Sequence, residues 1–228
     1  MISDKKKFSI GAGLFLSFFI VLVLFFSPIF NGKNGLDFLD DLYNSISKGS
    51  AYYIPDLKDD SAKHNGKTVT LNLVLKDADE ANQVSLLFRN SGATVTISGS
   101  ELKVSGDLGK ILENYLDDAD QMYSNQGEKL SGKYGYDEKK VLYNWWTATK
   151  LMDKDFKGQE LFKEAETVTS VKNKAVEMAY NYYKIEPQKI SDRLGVVIFS
   201  LIFYVVYTLW YGFAIMYMFD GWGLKLEH

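Results

Sequence analysis

Ala93-Thr94-Val95-Thr96-Ile97-Ser98-Gly99-Ser100-Glu101-Leu102-Lys103-Val104-Ser105 alternates apolar and polar residues on both sides of a single Gly-Ser pair. Strict alternation marks a half-buried strand, and a two-residue loop that opens on Gly supplies the positive φ of a tight hairpin. Pairing across Gly99-Ser100 sets Ile97 against Leu102 and Val95 against Val104, which leaves all four side chains on one face. Turn chemistry and side-chain pattern agree on a hairpin.

Working outward, residues 67–75 alternate in the same way, with Val69, Leu71, Leu73 and Leu75 on one side and Thr68, Thr70 and Asn72 on the other. Between this strand and the hairpin, Asp77 and Glu80 have capping-box spacing. Ala81, Val84, Leu87 and Phe88 follow as a helical stripe, and Gly92 is placed as its stop. After the hairpin, Asp107 is a predicted N-cap for a helix carrying Leu108, Ile111, Leu112, Tyr115, Leu116, Ala119 and Tyr123. Upstream, Leu36, Phe38, Leu39, Leu42, Tyr43 and Ile46 predict a short amphipathic helix that Gly49 ends. Residues 50–66, with Pro55, three aspartates and Asn65-Gly66, read as mostly loop. The result is an α+β domain of order α-β-α-β-β-α, one sheet with helices on one face, its sheet part at about 67–124.

Further on, residues 124–135 read as a Gly-rich connection. Two more long helices are expected within about 136–185. One, at about 137–152, buries Val141, Leu142, Trp145, Ala148 and Met152; the other, at about 159–184, ends in Tyr180, Tyr182 and Tyr183 before Pro187. This mixed segment is flanked by two apolar runs, residues 8–30 and 194–219, neither with a formal charge. Each exceeds the roughly 20 residues that cross a bilayer core. The first is too long for a cleaved signal peptide and lacks an A-x-A-like site, so it reads as an uncleaved anchor. Lys5, Lys6 and Lys7 before it, against Lys33 after it, predict residues 1–7 in the cytoplasm, 31–193 outside and 220–228 in the cytoplasm again. The flanks of the second run, Lys189 and Arg193 against Lys225, oppose that orientation weakly.

The 228 residues hold 26 Lys+Arg, 29 Asp+Glu, two His and no Cys, for a net charge of −3. This excludes a disulfide scaffold, a Cys-based redox or metal site and a strongly basic nucleic-acid binder. Residues 31–193 also lack an N-x-[ST] sequon, which with the missing cysteines fits a prokaryotic envelope and an inner-membrane protein with a periplasmic domain. Leu226-Glu227-His228 reads equally as native sequence or as the remnant of a tag.

Catalytic patterns fail on inspection. Gly127-Glu128-Lys129-Leu130-Ser131-Gly132-Lys133-Tyr134 approaches the phosphate-binding loop G-x-x-x-x-G-K-[ST], but Tyr134 stands where a hydroxyl must hold Mg²⁺, and a helix rather than a strand precedes it. Asp117, Asp118 and Asp120 lack the calcium-loop spacing and read as the acidic outer face of a helix. Asp56, Asp59 and Asp60 sit in a loop with nothing to fix their geometry. His64, beside Asn65-Gly66, reads as a solvated turn residue. No cluster fits zinc, and no cofactor is expected. The chain therefore reads as a non-enzyme.

Partner contacts are the remaining signal. Trp145 fits the buried stripe of its helix, whereas Trp146, turned by 100°, is off it and marks a partner or ligand surface or a broader buried face. Ser9, Gly13 and Ser17 form a small-xxx-small ridge in the first span. In the second, Tyr204, Tyr207, Thr208 and Tyr211 place hydroxyls inside the apolar layer, where they need a partner: the first span, another subunit or a lipid-soluble ligand. The expectation is a two-pass, non-catalytic accessory subunit or scaffold of a larger membrane complex, contacting the bilayer and other subunits or itself. An extracytoplasmic receptor reporting to a separate partner is the alternative, though no feature points to a small-molecule ligand. So is a homo-oligomeric surface-polysaccharide chain-length regulator, to which the layout alone is similar. The short predicted cytoplasmic ends leave no room for an output domain.

Overall fold

The structure, a computed structural model, describes residues 2–224; Lys225 and Leu226-Glu227-His228 lie outside the described residues. It is a mostly helical α+β protein with a small three-stranded sheet. The chain divides into two compact units, one formed by residues up to Ile46 with those from Pro187 on, the other by Ser47–Glu186.

The first unit contains α1 (Lys5–Phe25), the first part of α2 (Gly35–Ser50), and α10 (Ile190–Trp222). α1 and α10, of 21 and 33 residues, are both long and apolar enough to cross a membrane. Asp4 caps α1 by accepting from the backbone N–H groups of Lys6 and Lys7. The helix stops at Phe25, five residues before the apolar run does, because Pro28 offers no N–H to continue it. α10 begins before the predicted span and ends at Gly223, which has φ +81°.

The second unit is built around β1 (Thr68–Val74), β2 (Thr94–Ser98) and β3 (Glu101–Asp107), all antiparallel in the order β1-β3-β2. Val95 faces Val104 and Ile97 faces Leu102 as the hairpin requires, with Gly99 at φ +59°. α4 (Ala78–Asn90), α5 (Leu108–Tyr123), α6 (Glu128–Tyr134), α7 (Glu138–Gly158), α8 (Phe162–Val171) and α9 (Glu177–Asn181) complete it, with α3 (Ile54–Ala62) upstream. One sheet face, carrying Val69, Leu71, Leu73, Leu102 and Val104, is buried against helices in a single core with Phe88, Tyr115, Trp145 and Phe156. Asp77 accepts from the Glu80 N–H, while Glu80 accepts from Lys76 rather than from the cap itself. The exposed edge of β1 is covered by polar groups near the end of α7: Asp155 accepts from the Asn72 N–H and the Gln159 amide donates to the Thr70 carbonyl.

Several expectations need correction. α2 runs through Gly49 instead of ending there. Residues 50–66 contain α3: Pro55 lies in its first turn, where a missing N–H costs no hydrogen bond, and Ile54, Leu57 and Ser61 form its buried side. Residues 124–135 contain α6, closed by Gly135 at φ +77°. α7 continues six residues beyond Met152, because Phe156 extends the same buried stripe. The last long helix is interrupted by a π-helical turn over Lys172–Val176 and ends at Asn181.

Candidate functional site

In the α1–α10 pair the close approaches are made by glycines other than the predicted ridge. A Cβ on Gly11 would lie 2.6 Å from the Met218 nitrogen, and one on Gly221 would strike the backbone of Phe8. Ser9 and Gly13 are exposed, and the space around Gly13 is open. Ser17 spends its hydroxyl on the Leu14 carbonyl, 2.9 Å away. The ridge therefore faces away from α10.

The aromatic residues of α10 divide between two faces. Tyr207 stacks on Phe18 at 4.5 Å and Tyr211 leans on the same ring at 5.2 Å. Trp210 donates its indole N–H to the Leu14 carbonyl at 3.1 Å. Tyr204 lies on the other side, 68% exposed, and Thr208 is exposed beside it, bonding back to the Tyr204 carbonyl at 2.8 Å. The Tyr204 hydroxyl has no hydrogen-bond partner among the described residues. Beside the same helices, Val21, Phe25, Phe30, Phe38, Phe199 and Phe203 line an apolar cleft of about 360 Å³.

Trp146 belongs to a second site, in the mixed domain. Its indole N–H donates to Glu177 at 2.8 Å, its ring stacks with Tyr143 at 5.9 Å, and the Lys150 ammonium lies 4.3 Å from it. Trp146, Tyr143 and Glu177, together with Leu142, Val176, Tyr180 and Asn181, line a groove of about 360 Å³ between α7 and the segment running from the π-turn into α9. A π-turn inserts one residue into a helix and often accompanies function. Here it carries Glu177 and Tyr180 round to face Trp146. The off-stripe position of Trp146 was legible from its 100° offset; the π-turn that builds the opposite wall has no such signature.

Two buried polar clusters brace this domain. Asp118 is fully buried, not on an outer face, and accepts from the Lys133 ammonium at 2.7 Å, the Trp145 indole at 2.8 Å and the Tyr134 hydroxyl. Burial pushes its carboxyl up, against the pull of those three donors. The residues that resembled a phosphate loop thus clamp α6 to α5 and α7. Lys48, only 2% exposed, donates to the Asn125 side chain and to the carbonyls of Tyr182 and Ile185. Burial lowers its pKa.

The other sequence candidates are dispersed. Asp117 and Asp120 are surface partners of Lys58. Asp56, Asp59 and Asp60 lie on α3 rather than in a loop, with Asp60 paired to Lys63 at 2.6 Å. His64 is partly buried, its Nε2 within 3.1 Å of the Thr167 hydroxyl. Among the described residues no three His, Asp or Glu side chains converge as metal ligands would. Comparison with family models, with curated proteins and with solved structures gives no match.

Proposed function

We propose that this chain is a two-pass membrane protein that serves, without catalysis of its own, as an accessory or scaffold subunit of a larger membrane complex. In this reading α1 and α10 span the bilayer, residues 1–7 and 220–228 are cytoplasmic, and residues 31–193 form the extracytoplasmic part. The three lysines that open α1, ahead of its apolar run, support that orientation. The ion pair of Lys7 with Asp220, at 3.3 Å, suits two charged ends emerging on one side.

The observation that carries the proposal is the outward hydroxyl of Tyr204. It lies about 15 Å or more along the helix from either end of the apolar run, farther than a phenol reaches. A polar group left alone in hydrocarbon is costly, and α1 lies against the other side of α10, where Tyr207, Trp210 and Tyr211 meet Phe18 and Leu14. A further transmembrane helix offering an acceptor to Tyr204 resolves that cost, and the open Ser9–Gly13 side of α1 provides room for close approach.

The test is extraction of the full-length protein from its native membranes in mild detergent, followed by native electrophoresis and mass spectrometry of co-migrating chains. Stoichiometric partners are expected, released by Tyr204→Phe. A lone monomer refutes the reading, and a pure homo-oligomer replaces it with a self-assembling regulator.

A further inference from the structure

We infer that the groove of Trp146 receives an extended segment of a partner polypeptide, with an apolar side chain at its centre and a carboxylate on either side. The floor is mostly apolar and aromatic, formed by Leu142, Tyr143, Trp146, Val176 and Tyr180, with Glu177 and Asn181 on the wall opposite α7 and the Glu177 carboxylate taken up by the Trp146 indole and Lys172. Tyr143 and Tyr180 are 45% and 39% exposed, although each carries a large apolar face. Trp and Tyr in such a recess are the residue types that dominate interface energetics. The indole is held in place by Glu177, so little ordering remains to be done when a partner side chain enters.

Charge selects the flanks. Four ammonium groups edge the groove: Lys140 lies over Tyr143, Lys139 over Tyr180, and Lys150 and Lys172 over Trp146. Two of them have local carboxylates, Lys140 with Glu80 at 3.7 Å and Lys172 with Glu177 at 3.8 Å. Lys139 and Lys150 have no ion pair among the described residues. The groove therefore presents two uncompensated positive charges, one at each end.

Their separation sets the class of occupant. Lys139 and Lys150 are eleven residues apart on α7, roughly 16 Å along the axis. One small aromatic acid cannot meet both. In an extended chain residues i, i+2 and i+4 share a face and span about 13 Å, and flexible Glu and Lys side chains close the remainder. The pattern acid-x-apolar-x-acid fits both the spacing and the floor.

The probe is a set of acetylated, amidated pentapeptides Glu-Ser-Ψ-Ser-Glu, in which Ψ is Phe, Leu, Trp or Tyr. Binding to the full-length protein in detergent is read by isothermal titration calorimetry at low salt. At least one member is expected to bind, with affinity falling about threefold in Lys139→Gln or Lys150→Gln and about tenfold in the double variant. Both lysines carry their ammonium groups at the surface, and an unchanged melting temperature verifies the fold of each variant. If the Glu-ended set binds no better than the matching Lys-ended set, or binding ignores both substitutions, the inference is overturned. It is equally overturned if 3-phenylpropionate binds as tightly as the peptides, which makes the groove a small-acid site. The inference is independent of the Tyr204 contact, since neither lysine lies in a spanning helix.

Discussion

The Lys48 ammonium lies 2.7 Å from the carbonyl oxygen of Ile185, so the end of α2, where the mixed domain begins, is fastened to the segment after α9, where it ends. Asn125, held at φ +59°, is the third party: its side-chain oxygen accepts from Lys48 and from the Lys184 N–H, and its amide donates to Ile185. Tyr123 closes the cluster by donating to the Lys48 carbonyl. A buried lysine is tolerated here because three oxygen acceptors replace its hydration.

Replacing Lys48 by Met keeps the stem and removes the charge, leaving those acceptors without their donor. The mixed domain should lose about 1–3 kcal/mol. Denaturant titration of the full chain in detergent, followed by tryptophan fluorescence, measures this. A variant as stable as the parent shows that water satisfies the acceptors.

Asp118→Ala should be more damaging, about 2–4 kcal/mol, because it leaves the buried Trp145 indole without its acceptor, takes one partner from the Tyr134 phenol and opens a cavity between α5, α6 and α7. Lys133→Met should cost less in the Asp118→Ala background than alone, since alone it takes a donor from a buried carboxylate and in the double variant it does not. Additivity of the two changes in a double-mutant cycle disproves the coupling.

Alkaline pH should unfold this domain. Burial pushes Tyr123, Tyr136 and Tyr183 up to about 12, against about 10 in an unfolded chain. Between those values the folded state holds protons that the unfolded state has released, so stability is full below pH 10 and falls as pH rises toward 12. Lys48 acts in the opposite sense, its burial favouring loss of the proton, but it is one group against these three and against Tyr52, Tyr115 and Tyr134, which burial also pushes up. The last phenols to ionise, followed by absorbance at 295 nm, should do so together with the loss of circular dichroism; ionisation of all 15 tyrosines with the structure intact contradicts the assignment.

Gly11→Leu should separate α1 from α10, since no side chain fits against the Met218 backbone. The parent chain has no cysteine, so Phe15→Cys and Tyr211→Cys introduce a unique pair where the rings are 6.3 Å apart. A short bismaleimide should bridge them in the parent background and fail with Gly11→Leu. Equal cross-linking in both places the contact elsewhere.

What could be read in advance was whatever repeats with a period. The hairpin, β1, α4 and α5 announced themselves because apolar residues recur at two or at three to four positions and because Asp77, Gly92, Gly99 and Asp107 mark their ends. α3 was hidden by its composition: three aspartates and a proline look like a loop until Pro55 falls in a first turn. α6 was hidden by Gly127, Gly132 and Gly135. Lys48 and Asp118 were unreadable for a different reason. Polar residues read as surface by default, and only the tertiary arrangement supplies the partners that let them be buried. In the second apolar helix the tyrosines were visible as unusual, but the division of Tyr207 and Tyr211 from Tyr204 and Thr208 depends on where α1 lies.

The π-turn at Lys172–Val176 has a consequence for how the chain tolerates change in length. One residue removed from this stretch would let α8 and α9 merge into a regular helix, a local gain in backbone geometry. Everything beyond it would then swing by about 100°, turning Glu177 off the Trp146 indole and Tyr180 off the groove. A deletion that is benign on an ordinary helical surface would here erase one wall of a recess while leaving its opposite wall untouched. Length at these five positions is thus a specification of shape, and homologues of this chain can be sorted by whether they keep the extra residue.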